Sequence, residues 1–305
     1  MSRALALFAS IGLLVVPVAA RAQRERHAPI LLQLPVTART MAMGGLTAGS
    51  RDVEAVFGNP ALVGGSSAFS LSLGRYASGA STGHAATTMS IGSIGLGFGV
   101  ALLDAPQVVA QSPMRSDVLT DEGRIAAAGL AASVAASLNW KGLRWGASAR
   151  YLDARTGMTH SASPAFDVGV AKDLMNGFLS AGVVLQHLGR ALPGTGEGRA
   201  LPTRIALGAS GGGYGVSKWF DVGASANVAV REDGALFPAV GGEWALVPLE
   251  GIAFALRGGV RRPELRAQRA LTGGVGVQFD RLSLDYGWED MRGKGGAHRV
   301  TFRLR

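Results

Sequence analysis

From about residue 66 to the end of the chain, side chains alternate between apolar and polar with a period of two. In 282–289, Leu282, Leu284, Tyr286 and Trp288 fall on one face, while Ser283, Asp285, Gly287 and Glu289 fall on the other. Successive side chains of an extended strand point to opposite faces, so this period demands strands with one apolar face. The last residues repeat it: His298, Val300, Phe302 and Leu304 alternate with Arg299, Thr301, Arg303 and Arg305. So does 219–231, with Phe220, Val222 and Ala224 against Asp221, Gly223 and Ser225. The pattern predicts about fourteen strands, near 67–76, 84–91, 94–103, 125–139, 143–153, 164–172, 178–188, 203–210, 219–231, 237–246, 252–261, 269–279, 282–289 and 297–305. Stretch 125–139 is Ala-rich, and Leu130, Val134 and Leu138 would also suit a helix. Ser133 and Ser137 alternate with apolar neighbours and the flanks are strands, so it is assigned as strand.

The connections divide into two kinds. Tight ones fall near 92–93, 141–142, 174–177, 248–251 and 280–281; longer ones fall at 104–124, 154–163, 190–202, 262–268 and 290–296. They mostly alternate, with 211–218 long for its side and 232–236 short. Short turns at one end and longer loops at the other are the layout of an outer-membrane barrel. A secreted β-sandwich also alternates, but its solvent face should be rich in Lys and Glu. Here the polar face is mainly Gly and Ser, and charged residues make up only 17% of the chain. The five tryptophans (140, 145, 219, 244, 288) lie near the ends of predicted strands, where interfacial girdles sit. The expected fold is therefore all-β: a transmembrane antiparallel barrel over 67–305.

The first residues suit export. Arg3 precedes an apolar run, Ala4 to Ala20, and Ala20-Arg21-Ala22 is a small-residue cleavage site, giving a signal peptide over 1–22 rather than a membrane anchor. Cleavage deletes two arginines and no acid, so the net charge falls from +9 to about +7. An exported basic chain meets membrane-surface phosphates rather than nucleic acid. The absence of cysteine excludes a disulfide framework and a thiolate metal site.

Residues 23–66 lack the strand period and are punctuated by Leu34-Pro35, Gly44-Gly45, Asn59-Pro60 and Gly64-Gly65, pairs that mark turns. Such a segment is either a periplasmic tail or a plug in the lumen. Gly95, Gly97 and Gly99 leave room for close backbone approach, which favours the plug. The stretch 38–65, with Arg39, Met43-Gly44-Gly45, Asp52 and Asn59-Pro60-Ala61, resembles the N-terminal segment of FadL-like outer-membrane proteins and their PorV/PorQ relatives. The stretches 241–260, 271–290 and 298–305 resemble that family's closing hairpins. The resemblance implies a fourteen-stranded barrel whose N-terminal segment folds inward as a hatch, with Asn59-Pro60 as a fixed turn. Outer-membrane chains commonly end in an aromatic residue; this one departs from them in ending with Arg305, three residues after Phe302.

Catalytic chemistry is not expected, nor is a cofactor. Gly208-Ala209-Ser210-Gly211-Gly212 matches a nucleophile-elbow pattern, but it lies on a strand running into a Gly-rich turn rather than in a strand–turn–helix context. His27, His84, His160, His187 and His298 are scattered and read as solvated or interfacial residues. Asp285 and Glu289 face Arg299 and Arg303 across a predicted hairpin, and Glu243 can pair with Arg257. These are wall salt bridges, or Arg257 or Arg261 takes a substrate carboxylate. Arg261, Arg262, Arg266 and Arg269 crowd one predicted outer loop, solvated or set against lipopolysaccharide phosphates. Two functions suit such a barrel: passage of hydrophobic small molecules, as the FadL resemblance implies, or a PorV-like scaffold binding a type IX secretion partner. The first needs an apolar pocket between hatch and wall. The second needs a full lumen and a large contact surface.

Overall fold

The computed structural model describes residues 29–45, 48–65, 67–109, 124–156, 159–192, 200–265, 267–292 and 295–305. The signal peptide expected over 1–22, His27 and Arg266 lie outside the described residues.

Fourteen antiparallel strands close into one barrel. They are β1 (Ala68–Tyr76), β2 (Ser81–Ile91), β3 (Ile94–Val109), β4 (Arg124–Trp140), β5 (Leu143–Thr156), β6 (Thr159–Leu174), β7 (Leu179–Gly189), β8 (Arg204–Ser217), β9 (Phe220–Arg231), β10 (Leu236–Leu249), β11 (Ile252–Arg261), β12 (Gln268–Phe279), β13 (Leu282–Met291) and β14 (Gly296–Leu304). Each strand pairs with its sequence neighbours, and β14 closes on β1 with Phe69 opposite Leu304 and Tyr76 opposite Ala297. The Ala-rich stretch is strand along its whole length, paired with β3 and β5.

One end of the barrel has only tight connections. At 141–142 both residues have positive φ, Lys141 at 53° and Gly142 at 74°, the mirror-image turn whose twist suits paired strands. This turn side also holds the start of β1 and the end of β14. The opposite, loop side carries the longer connections except between β5 and β6, which pair up to Thr156 opposite Thr159, so the linker expected over 154–163 is mostly strand. The linker expected over 211–218 is mostly strand. β8 runs to Ser217 through two register shifts against β9, and the turn is Lys218–Trp219. Its glycines carry no side-chain period to read, while the backbone keeps pairing.

The wall is inside-out. In β1, Ser70 and Ser72 are buried while Phe69, Leu71 and Leu73 are exposed; in β14, Arg299, Thr301 and Arg303 are buried while Val300, Phe302 and Leu304 are exposed. Water cannot account for an exterior of Leu, Val, Phe and Trp around a polar interior, but hydrocarbon can, because a closed sheet satisfies its own backbone there. No helix among the described residues is long and apolar enough to cross a membrane. All five tryptophans point outward. Trp140 and Trp219 sit at the turn side beneath the ammonium groups of Lys141 and Lys218, at 4.7 and 4.9 Å. Trp244 lies deeper than expected because β10 continues to Leu249.

Residues 29–65 form short helical pieces: a 3₁₀ turn at Ile30–Gln33, helix α1 (Ala38–Ala42), and 3₁₀ turns at Val53–Val56 and Pro60–Leu62. None is long enough to hold itself together. Side chains cap three of them: Thr37 accepts from the Thr40 amide, Asp52 from Val53, and Asn59 from Ala61. The pieces pack against inward faces of the barrel, α1 on β11–β14, Val53–Val56 on β1–β4, and Pro60–Leu62 on β4–β6.

An Arg on the exterior should be penalised by depth. Leu256→Arg, midway along β11, is expected to lower folding free energy in a bilayer by about 2–4 kcal/mol, and Leu249→Arg, at a strand end, by at most about 1. Equal losses in lipid-based unfolding titrations would contradict a hydrocarbon-facing wall.

Candidate functional site

The N-terminal segment and the wall meet backbone to backbone, and glycines in the wall make this possible. A β-carbon on Gly287 would lie 2.5 Å from the Ala38 carbonyl oxygen, and one on Gly241 2.6 Å from that of Met43. One on Gly259 would lie 2.5 Å from the Gly44 nitrogen, and one on Gly146 would collide with the Pro60–Ala61 peptide. The room left by Gly95, Gly97 and Gly99 is taken by Val63, Gly64, Val56 and the Phe57 ring.

The motif residues are the ones that approach the wall. Met43-Gly44-Gly45 reverses the chain after α1, with φ of 90° and 89° at the two glycines, a conformation side chains rarely adopt. A side chain at Gly45 would strike the Arg261 guanidinium. Asn59 is fully buried. Its Nδ2 donates to the Ala48 carbonyl at 2.9 Å and its Oδ1 accepts from the Ala61 amide at 3.1 Å, so it binds a neighbouring turn rather than the wall. Its amide seats against Gly169 and Gly182, and Pro60 opens the next turn where no amide donor is needed.

Charges then tie segment to wall in a closed ring of alternating sign. Arg39 donates to Glu243 at 3.1 and 3.4 Å, Glu243 accepts from Arg257 at 2.5 Å, and Arg257 donates to Asp285 at 2.6 Å. Asp285 accepts from Arg303 at 2.8 Å, Arg303 donates to Asp52 at 2.6 Å, and Asp52 lies 3.5 Å from Arg39. Arg305 adds a contact to Asp52 at 3.6 Å. Glu243 and Arg257 are directly opposite in the β10–β11 ladder. Burial alone would raise the Asp52 carboxyl, but Arg303, Arg305 and Arg39 outweigh it and hold it below the usual carboxylate range. Glu54 is pushed up, by burial first and then by the Asp52 charge, and accepts from the Thr40 and Ser50 hydroxyls.

Several pairings differ from those expected. The register puts Gly287 opposite Arg299, so that guanidinium runs away from β13 and donates to Ser72, Thr82, Tyr76, the Val36 carbonyl and the His84 ring. Glu289 instead pairs with Arg261 at 2.5 Å. Arg261 is therefore an inward wall residue and not part of an outer-loop cluster; Arg269 pairs with Asp290 at 3.0 Å. His84 and His187 are buried rather than solvated, while His160 and His298 are exposed. Ser210 sits within β8 and donates to the Gly49 carbonyl at 2.7 Å, far from an elbow geometry. Asp167 was not anticipated. It takes Arg150 at 3.1 Å, Ser148 at 2.9 Å and the His187 amide at 2.7 Å, where β7 bulges. Arg51 and Arg144 likewise share Asp173. Inward charges at 144, 150 and 167 in two adjacent predicted strands, with Asp173 just past the end of the second, were the available signal.

Cavities flank the segment. One, of about 50 Å³, lies between it and the wall, lined by Leu31, Leu32, Leu34, Phe57, Ala101 and Ala131 together with His84, Arg150, Gln186 and Arg204. An apolar cluster borders it, in which Leu31 and Leu32 meet Leu152, Leu192 and Leu201. Another, of about 330 Å³, is a charged basin bordered by Arg39, Glu243, Arg257, Asp285, Arg303 and Arg305.

The fold is that of known channels. The chain superimposes on the monoaromatic hydrocarbon channel CymD with a TM-score of 0.58 at 10% identity, over 89% of this chain and 97% of that one. It matches the toluene transporter TodX of P. putida with a TM-score of 0.59 at 11% identity, over the same shares of the two chains. No protein-family model matches the sequence, and no curated protein matches it. At these identities the likeness is one of architecture.

The seat and the ring can be tested separately. Gly146→Val should overpack the Pro60–Ala61 contact by about 1–3 kcal/mol and open residues 48–65 to protease, seen as new cleavage in a folded barrel. Asp285→Asn should cost about 3–5 kcal/mol by leaving two buried guanidiniums short of a partner. Glu54→Gln should be neutral or stabilising at pH 7, because the fold already disfavours that charge. Heat-dependent gel mobility reads both, and a Glu54→Gln loss as large as that of Asp285→Asn would refute the assignment.

Proposed function

We propose that the protein is an outer-membrane channel for hydrophobic small molecules, exported by a cleaved signal peptide over 1–22. Residues 23–66 act as the hatch and 67–305 as the transmembrane barrel. The observation that carries this reading is the cavity between segment and wall, with an apolar side at Leu31, Leu32, Phe57, Ala101 and Ala131 and a polar side at His84, Arg150, Gln186 and Arg204, inside a barrel whose exterior suits lipid. A hydrophobic solute gains about 25 cal/mol per Å² of apolar surface on leaving water for such a site, and small wall residues let it approach. The two structural neighbours, described as a hydrocarbon channel and a toluene transporter, support the same class of cargo.

In this reading Met43, Gly44, Gly45, Asn59, Pro60 and Ala61 shape the hatch, and Asp52 fastens it. Glu243, Arg257, Asp285 and Arg303 are wall salt bridges rather than a carboxylate site, since each guanidinium already holds two acids. Arg261 is likewise held by Glu289, whereas Arg299 grips neutral groups near the hatch. The surrounding partner is outer-membrane lipid, including lipopolysaccharide. The comparisons carry nothing for a secretion scaffold or for PorV/PorQ kinship.

Uptake of labelled toluene into proteoliposomes checks the reading. Wild-type protein should accelerate it over protein-free vesicles, and Ala131→Trp, which fills the cavity from the wall, should return it to the vesicle background with the barrel still folded. Uptake indifferent to Ala131→Trp would place the path elsewhere; no acceleration at all would remove the transport role.

A further inference from the structure

The six members of the charge ring are not held equally. Asp52, Asp285 and Arg303 are sealed, with side chains 3%, 2% and 4% exposed, and the bonds Arg303–Asp52, Arg303–Asp285 and Arg257–Asp285 run from 2.6 to 2.8 Å. Arg39 is the loosest member. Its side chain is 23% exposed, it reaches Glu243 at 3.1 and 3.4 Å and Asp52 at 3.5 Å, and it borders the basin of about 330 Å³ together with Glu243. A water takes about 30 Å³ of liquid volume, so the basin has room for a displaced guanidinium and its hydration. Within the ring the segment is thus tied tightly at Asp52 and loosely at Arg39, whose helix keeps two neutral bonds to the wall, Ala38 N to Thr301 at 2.7 Å and Thr272 to the Ala42 carbonyl at 2.9 Å.

We propose that Arg39–Glu243 is the release joint of the hatch: α1 unhooks toward the turn-side basin while the part anchored by Asp52 stays docked. This rests on the hatch reading above and adds where opening begins. Release lifts Ala38 and Ala42 from Gly287 and Gly274, and opens a gap along β11–β14. Every acid and base left behind keeps a partner, since Glu243 retains Arg257 and Asp52 retains Arg303. The joint can therefore open without stranding a buried charge, the event that makes most buried pairs costly to break. Screening weakens hydrated pairs before sealed ones, because the Debye length falls from about 10 Å at 0.1 M salt to about 3 Å at 1 M.

Conductance of the full-length protein in planar bilayers tests this. Wild type should be largely closed at 0.1 M KCl and open more often at 1 M. Arg39→Gln and Glu243→Gln should each raise open probability about tenfold at 0.1 M. The double variant should match either single, and all three should lose the salt dependence. Asp52→Asn should lower heat resistance without that gain. Closed single variants, or an Asp52→Asn channel as open as Glu243→Gln, would overturn the assignment of the joint while leaving the hatch in place. A wild type that conducts freely at 0.1 M would overturn the hatch and the joint together. Toluene uptake in matched vesicles separates either failure from a failure of the transport role.

Discussion

The pairing of β14 with β1 is the contact on which the rest depends. Without it the sheet has two edges, each with a row of unpaired amides and carbonyls that hydrocarbon cannot satisfy. With it, the wall divides cleanly into an outside and an inside. Closure also carries Arg299, Thr301 and Arg303 to the N-terminal segment, where they bind Val36, Ala38 and Asp52. Barrel closure and segment docking are two effects of one ladder.

Much of the barrel was legible in the sequence because its period is two and its polar face is small rather than charged. The fourteen strands, the turn side and the loop side all follow from that. Boundaries faded where the side-chain signal does, in the glycines of 211–215 and where β3 to β6 extend toward the loops. The inward segment was readable only in outline. Its contacts are backbone against glycine, and a glycine in a sequence does not announce what approaches it.

The charge ring shows the same limit. Glu243 with Arg257 could be paired from strand order, since they are cross-strand neighbours. Arg39 and Asp52 could not be joined to it, because nothing in an aperiodic segment gives the register of its side chains. Strand order and charge put Arg299 across the hairpin from Glu289, but the ladder sets it opposite Gly287 and its guanidinium reaches β1, β2 and Val36 instead. Sign complementarity proposes partners; register decides among them. The ring is also more resilient than an isolated buried pair, since each member touches two of opposite sign.

The reach of the Asp52–Arg303 bond across 251 positions of sequence has a consequence in time rather than in space. During synthesis and export the Asp52 carboxylate emerges early, and its guanidinium partner arrives only with the last strand. Contacts of such long sequence separation form late and slow the whole reaction. The early segment must therefore be carried, hydrated and unpaired, through most of assembly. Docking it reports that β14 has been laid down, so the finished interior records a closed barrel.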